Sequence, residues 1–208
     1  MSQTNNENRK VLPVAVPLFR DLFVITDPGR DQDDEDVLTM LNRMIRLEIL
    51  QVMGVVANLA PSAMRARLAK GTLKQLGQPN LPVGIGSSCG QTDDDGLDYQ
   101  FAVSYLSEHD NVVDGKELIY NTLKQARPKS IVLLLISGLT DAAAVLREHH
   151  YLFKMAVRRV VIMGEVEADG DRPKLDAEGR MIPEMTATNH KFDKEATAFL
   201  YKQLQDME

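Results

Sequence analysis

Six carboxylates crowd ten consecutive positions near the start of the chain: Asp27, Asp31, Asp33, Asp34, Glu35 and Asp36. Acidic side chains at that density repel unless they face water, meet a helix N-terminus, or share a hard cation such as calcium. Asp31, Glu35 and Asp36 suit a solvated acidic turn running into a helix. Asp27 suits it less well, because it ends an apolar run. A carboxylate closing a buried strand costs free energy unless it is paired or cation-bound. An EF-hand loop counted from Asp31 would close on Asn42 rather than Glu, which excludes that motif.

The elements around this cluster can be read from hydrophobic spacing. Leu22, Phe23, Val24 and Ile25 form the continuous apolar run of a buried parallel strand, stopped at Asp27-Pro28-Gly29. Val37, Leu38, Leu41, Met44 and Ile45 then fall on one helix face. Five such runs, Leu22–Thr26, Ile49–Ala57, Leu81–Ile85, Ile131–Ile136 and Arg158–Met163, alternate with helical patterns. The helices are expected at Ser62–Leu76, Tyr99–Leu106, Gly115–Gln125, from Thr140 to about His149, and Lys194–Leu204. This rhythm predicts an α/β fold: a Rossmann-like, doubly wound, mostly parallel sheet flanked by helices. In such a sheet ligands bind beyond the carboxyl ends of the strands, where Asp27 and Asn58 both fall.

With these residues placed, the chain resembles the inosine-uridine-type nucleoside hydrolases. Their signature is a strand, Asp-Pro-Gly, a short connection, Asp-Asp and an apolar helix. Asp27-Pro28-Gly29 and Asp33-Asp34 match it, with the connection two residues longer; a gapless match would instead use Asp31. Val55-Val56-Ala57-Asn58 resembles the family's second strand and its ribose-facing asparagine. Gly138-Leu139-Thr140-Asp141 resembles Gly-Pro-Leu-Thr-Asn, with Asp141 in place of Asn. Met163-Gly164-Glu165 resembles Met-Gly-Gly, and Asn189 stands where the family's last ribose-binding asparagine lies, with Ala187 in place of a glutamate.

The resemblance implies calcium-dependent hydrolysis of the N-glycosidic bond of ribonucleosides, as in purine and pyrimidine salvage. Asp27 would be the catalytic base; Asp27, Asp34 and the Thr140 carbonyl would hold calcium. Asp33, Asn58, Met163 and Asn189 would contact the substrate. Family members continue past the last helix, and their final third supplies another calcium carboxylate and often a histidine acting on the base. The fold is thus expected to be C-terminally short, and loss of a general acid commonly costs ~10²–10⁴ in rate, so slow hydrolysis is expected. A non-catalytic nucleoside- or ribose-binding protein is the alternative. An aspartate-nucleophile phosphotransferase needs a second aspartate two residues on, where Gly29 stands.

Several residues keep plainer readings beside these. Asn58 equally suits a turn on residue type alone, Thr140 fits an N-cap, and Asp193 fits the cap of the last helix. His149 and His150 suit a helix C-terminus, and His190 suits a surface or hydrogen-bonded site. Cys89, in Ser-Ser-Cys-Gly, reads as a small loop residue. Residues 165–182 suit a hairpin or a flap over the site, and Asp93, Asp94 and Asp95 a solvated loop.

Composition sets the outer bounds. The chain has 208 residues, 44% of them hydrophobic, which is enough for one core. Residues 1–20 are read as a tail and 21–208 as the domain. A net charge of −6 without a basic block argues against nucleic acid and anionic membrane partners. The run from Val11 to Phe19 is broken by two prolines and too short to span a membrane. A single cysteine suits a reducing, cytoplasmic compartment. A small-molecule ribonucleoside is the expected partner, with a homo-oligomer left open.

Overall fold

The computed structural model describes residues 21–29, 31–89 and 104–207. The 1–20 tail, the Asp93–Asp95 run and most of the expected Tyr99–Leu106 helix lie outside these residues. Six strands form one parallel sheet: β1 (Asp21–Thr26), β2 (Gln51–Ala57), β3 (Val83–Ile85), β4 (Val113–Asp114), β5 (Ile131–Leu135) and β6 (Val157–Ile162). Their order is β4-β3-β2-β1-β5-β6. The chain therefore moves outward from β1 through β2 and β3, then returns to the other side of β1 at β5. The point of reversal lies between β1 and β5, where an open α/β sheet leaves a crevice at its carboxyl edge.

Helices cover both faces. On one, α1 (Asp33–Arg46) and α2 (Ser62–Gln75) bury Leu38, Leu41, Ala66, Ala69 and Leu73 against Val24, Val52 and Val55. On the other, α3 (Gly115–Gln125), α4 (Thr140–Glu148), α5 (His150–Ala156) and α7 (Lys194–Asp206) pack on Phe23, Ile25, Leu133 and Leu135. Successive side chains of β1 point to opposite faces, so Phe23 and Ile25 join one core and Val24 the other. A one-turn helix, α6 (Thr188–Lys191), precedes α7. None of the described helices is long and apolar enough to cross a membrane.

Strand register brings three chain segments to one level. Thr26 pairs with Ala57, and Ile25 with Leu135. Past the strand ends, the Asn58 amide still donates to Thr26 O at 3.0 Å, and the Ile136 amide to Ile25 O at 2.9 Å. Asp27, Asn58 and Ser137 consequently leave the sheet side by side.

The structure sharpens or corrects four of these readings. The Tyr99–Leu106 helix does not run through residues 104–106. There Ser107 donates its amide to Arg67 O and accepts from Arg67 Nε, and the Tyr105 carbonyl packs on Gly71, so α2 takes the backbone contacts. The Ala-rich helix ends at Glu148, as expected, and is followed at once by α5, because His149 leaves helical geometry at φ −131° and the chain restarts. Residues 165–184 form an arm with a short hairpin, β7 (Ala168–Asp169) and β8 (Arg172–Pro173). Its far end is fastened to α7: Met181 and Gln205 exchange two hydrogen bonds, and Arg180 meets Asp206. The hairpin alternative is the one that forms, on an arm anchored to α7. Thr140 is the first residue of α4 rather than its cap, a place taken by Leu139. Asp193 does cap α7, accepting from the Ala196 amide at 2.9 Å.

The outermost strand, β6, pairs with β5 alone among the described residues. It exposes Val161 and carries exposed Arg158 and Arg159; Met163 just beyond it is exposed as well.

Candidate functional site

The crevice between β1 and β5 is lined by the carboxylates singled out in the sequence. Asp27 leaves β1 half-buried, and Asp34, in the first turn of α1, is only 4% exposed. They face one another through the backbone: the Asp27 amide donates to Asp34 Oδ1 at 3.2 Å. The Thr26 hydroxyl donates to the same oxygen. Asp33 and Asp31 are both exposed, but the charges that act on Asp27 are those of Asp34 and Asp33. Of the acidic residues that follow β1, Asp34 is the one whose carboxylate the Asp27 amide meets.

This crowding is visible in proton affinity. Burial, then the charge of Asp34, pushes the Asp27 carboxyl up to about 7; the polar side chain of Ser137 and the charge of Arg65 oppose the shift. Burial also raises Asp34, against the bonds from Thr26 and Asp27. Glu35 is raised by burial too, and its Oε2 is buried without a hydrogen-bond partner. A carboxyl held near 7 is poised to exchange a proton at neutral pH.

Behind the acidic pair lies a polar network that fixes the loops. Asn58 is fully buried; its Nδ2 donates to Gly138 O at 2.9 Å and to Asp141 Oδ2 at 2.8 Å, and its Oδ1 accepts from Ser137. Asp141 also accepts from the Ser87 amide and hydroxyl at 2.9 and 2.8 Å. The sequence places Asn58 on a ribose hydroxyl. In the structure its amide hydrogens and its carbonyl make these bonds, and Asn58 thereby joins the β2 and β5 loops. Leu59, fully buried beside it, holds a φ of +62°, a strained value for a non-glycine residue kept in place by its amide bond to Ser87 O.

The remaining candidates lie farther along the same sheet edge. Thr140 uses its hydroxyl toward Asp193 Oδ2, at 2.7 Å, and Cys89 Sγ, at 2.8 Å, which leaves only its carbonyl for a cation. Asn189 Nδ2 donates to Met163 O at 3.0 Å, so two candidate substrate residues touch each other past β6, two strands and about 10 Å from β1. His190 is buried, bonded through Nδ1 to Glu184 O at 2.9 Å and 3.2 Å from the Tyr201 hydroxyl. The hydrogen-bonded reading of His190 therefore holds.

Two contributors escape the sequence reading. Thr26 was read only as the end of a strand. Arg65, fully buried in α2, donates to Asp27 O at 2.5 Å, Pro28 O at 3.1 Å and Ala60 O at 3.3 Å. Its signal was present: Arg65 lies on the face of Ala66, Ala69 and Leu73, a place where α2 should carry apolar residues.

In chemical kind the donor set suits a hard cation, since two crowded carboxylates of raised proton affinity are relieved by a divalent ion as by a proton. It is not a complete cage. Among the described residues no group of three or more His, Cys, Asp or Glu side chains is arranged to hold a metal ion.

No protein-family model and no curated protein matches the chain. Solved structures do. The type III effector protein XopQ, complexed with adenosine diphosphate ribose, superposes with a TM-score of 0.80 at 28% identity, over 92% of this chain and 54% of that one. The effector protein XOO4466 gives 0.76 at 26% identity with the same coverage. The inosine-uridine preferring nucleoside hydrolase from Bacillus anthracis gives 0.60 at 20% identity, over 88% of this chain and 61% of that one. The chain spans about half the length of the two effectors, and its architecture is the nucleoside hydrolase-like α/β fold.

Proposed function

We propose that the crevice at Asp27 and Asp34 binds the ribose of a nucleoside-type ligand and hydrolyses the N-glycosidic bond of ribonucleosides with calcium. The observation that carries this reading is the buried carboxylate pair at the reversal point of the sheet, with Asp27 held near 7. Asp27, Asp34 and the Thr140 carbonyl would hold the ion. Calcium bound there supplies a grip on the ribose diol and acidity to a bound water.

The protein's own groups do the rest. Asp27 takes the proton of the attacking water, a transfer suited to its near-neutral carboxyl. The negative charge of Asp27 and Asp34 stabilises the oxocarbenium-like transition state of glycosidic cleavage. Asp33 and Asn189 orient ribose hydroxyls, with Met163 beside Asn189 bordering the sugar or base. Asn58 holds Ser137 against Asp27, a positioning role in place of direct contact.

A specific observation supports a second reading, in which the site binds without turnover. The effector complexed with ADP-ribose superposes with a higher TM-score than the inosine-uridine preferring hydrolase. Purified chain with inosine or uridine and calcium, followed by chromatography of the free base, separates the two. Release that depends on calcium and is lost in Asp27→Ala supports hydrolysis. Calorimetric binding of ADP-ribose or ribose without base release supports binding alone, and neither result discards the site.

A further inference from the structure

We propose that Arg65 is the positioning residue of the Asp27 turn: its guanidinium clamps the backbone of Asp27 and Pro28 to the loop after β2 and so aims Asp27 at Asp34. The inference rests on the reading of Asp27 and Asp34 as the acting carboxylates.

Arg65 is fully buried, the largest side chain among the described residues to be so. Burying a guanidinium costs several kcal/mol unless its donors are satisfied, so a helix gains little stability from arginine on its apolar face. Here the fork is spread over three carbonyls from two loops. Nη1 donates to Asp27 O and Pro28 O, while Nε and Nη2 both donate to Ala60 O, each at 3.3 Å. The Asp27 residue is thereby held from both sides, its amide by Asp34 and its carbonyl by Arg65.

Only a planar guanidinium has donors spread to serve both loops at once; a lysine ammonium is a point donor on a flexible stem. Gly29 then turns the chain at φ +109° toward α1, so the carbonyls of Asp27 and Pro28 are fixed before the turn begins. The same positive charge also lies near both carboxylates and opposes their protonation.

Arg65→Lys keeps charge without the fork, and Arg65→Met keeps volume without charge. Wild type and both variants are compared by thermal melting, hydrogen–deuterium exchange and calcium calorimetry. The expected result is folded variants in which exchange rises at least about tenfold at the Asp27 and Asn58–Leu59 amides but not in β5 or α7. Calcium affinity should fall about 10–100-fold in both variants, as for groups that orient metal ligands. Arg65→Lys matching wild type in exchange and affinity would overturn the proposal. So would a uniform rise in exchange or loss of folding in both variants, which would make Arg65 a general core residue. Wild type that binds neither calcium nor nucleoside would refute the proposed function instead, and the local exchange pattern alone would then decide the role of Arg65.

Discussion

The amide of Asp27 donates to the carboxylate of Asp34 at 3.2 Å, while the two side-chain charges oppose one another. Hydrogen bonding holds together what electrostatics would part. The site is therefore built under repulsion, and its stability should report on what relieves it.

Protons are the first relief. The Asp27 carboxyl sits at about 7 in the fold against 3.8 unfolded, so between those values the folded chain holds a proton that the unfolded chain has released. Its contribution to stability is full below about pH 4 and is lost as pH rises to about 7. Asp27→Asn removes this loss. The melting difference between Asp27→Asn and wild type, without calcium, should be smallest near pH 4 and grow to about 1–3 kcal/mol at pH 8. A difference that is flat with pH would show that Asp27 is not held near neutrality.

Calcium is the second. At pH 8, calcium in hundredfold excess over its dissociation constant should stabilise wild type by about 2.7 kcal/mol. Asp34→Asn should abolish that rise in melting temperature, and Asp31→Asn should leave it intact. The reverse pattern would return the site to the shorter spacing.

Much of this arrangement can be read from residue order. The five apolar runs become the five principal strands, and Gly115–Gln125 forms the expected helix, because burial on both faces demands continuous apolar residues and a helix face repeats locally. The carboxylates at the end of β1 follow from the same logic. What stays hidden depends on distant partners. Asn58 meets Gly138 and Asp141 some eighty residues away, and only the strand register brings them together. β4 is two residues long, too short for any periodicity. α5 is masked by the helix before it.

Asn58→Ala should cost about 2–4 kcal/mol, since it removes three hydrogen bonds and leaves Asp141 and Gly138 O short of donors inside the protein. Calcium affinity per folded molecule should drop through displacement of Ser137. If Asn58→Ala melts like wild type yet loses ribose binding, Asn58 is a direct sugar ligand after all.

Gly164→Ala places a Cβ 2.1 Å from His190 Nε2, an atom already 3.2 Å from the Tyr201 hydroxyl in a ring packed edge-on against Tyr201. Overpacking of this kind costs about 1–3 kcal/mol. Because Asn189 holds Met163 O next door, ligand binding should weaken beyond the loss of stability. Calorimetry on the folded variant at reduced temperature measures the two effects separately, and unchanged affinity would detach Asn189 from the site.

The half-paired strand β6 has a consequence for how the protein behaves in concentrated solution. A strand that pairs on one side only among the described residues, with an apolar side chain at Val161, is a template on which another polypeptide can extend the sheet. Arg158 and Arg159, both exposed, put positive charge on that strand, which is how edges are kept from stacking end to end. Solubility is thus partly written into two arginines on β6, two strands away from β1. Exchanging both for threonine would raise strand propensity and remove the repulsion together, leaving a fold that still forms but sediments as aggregate.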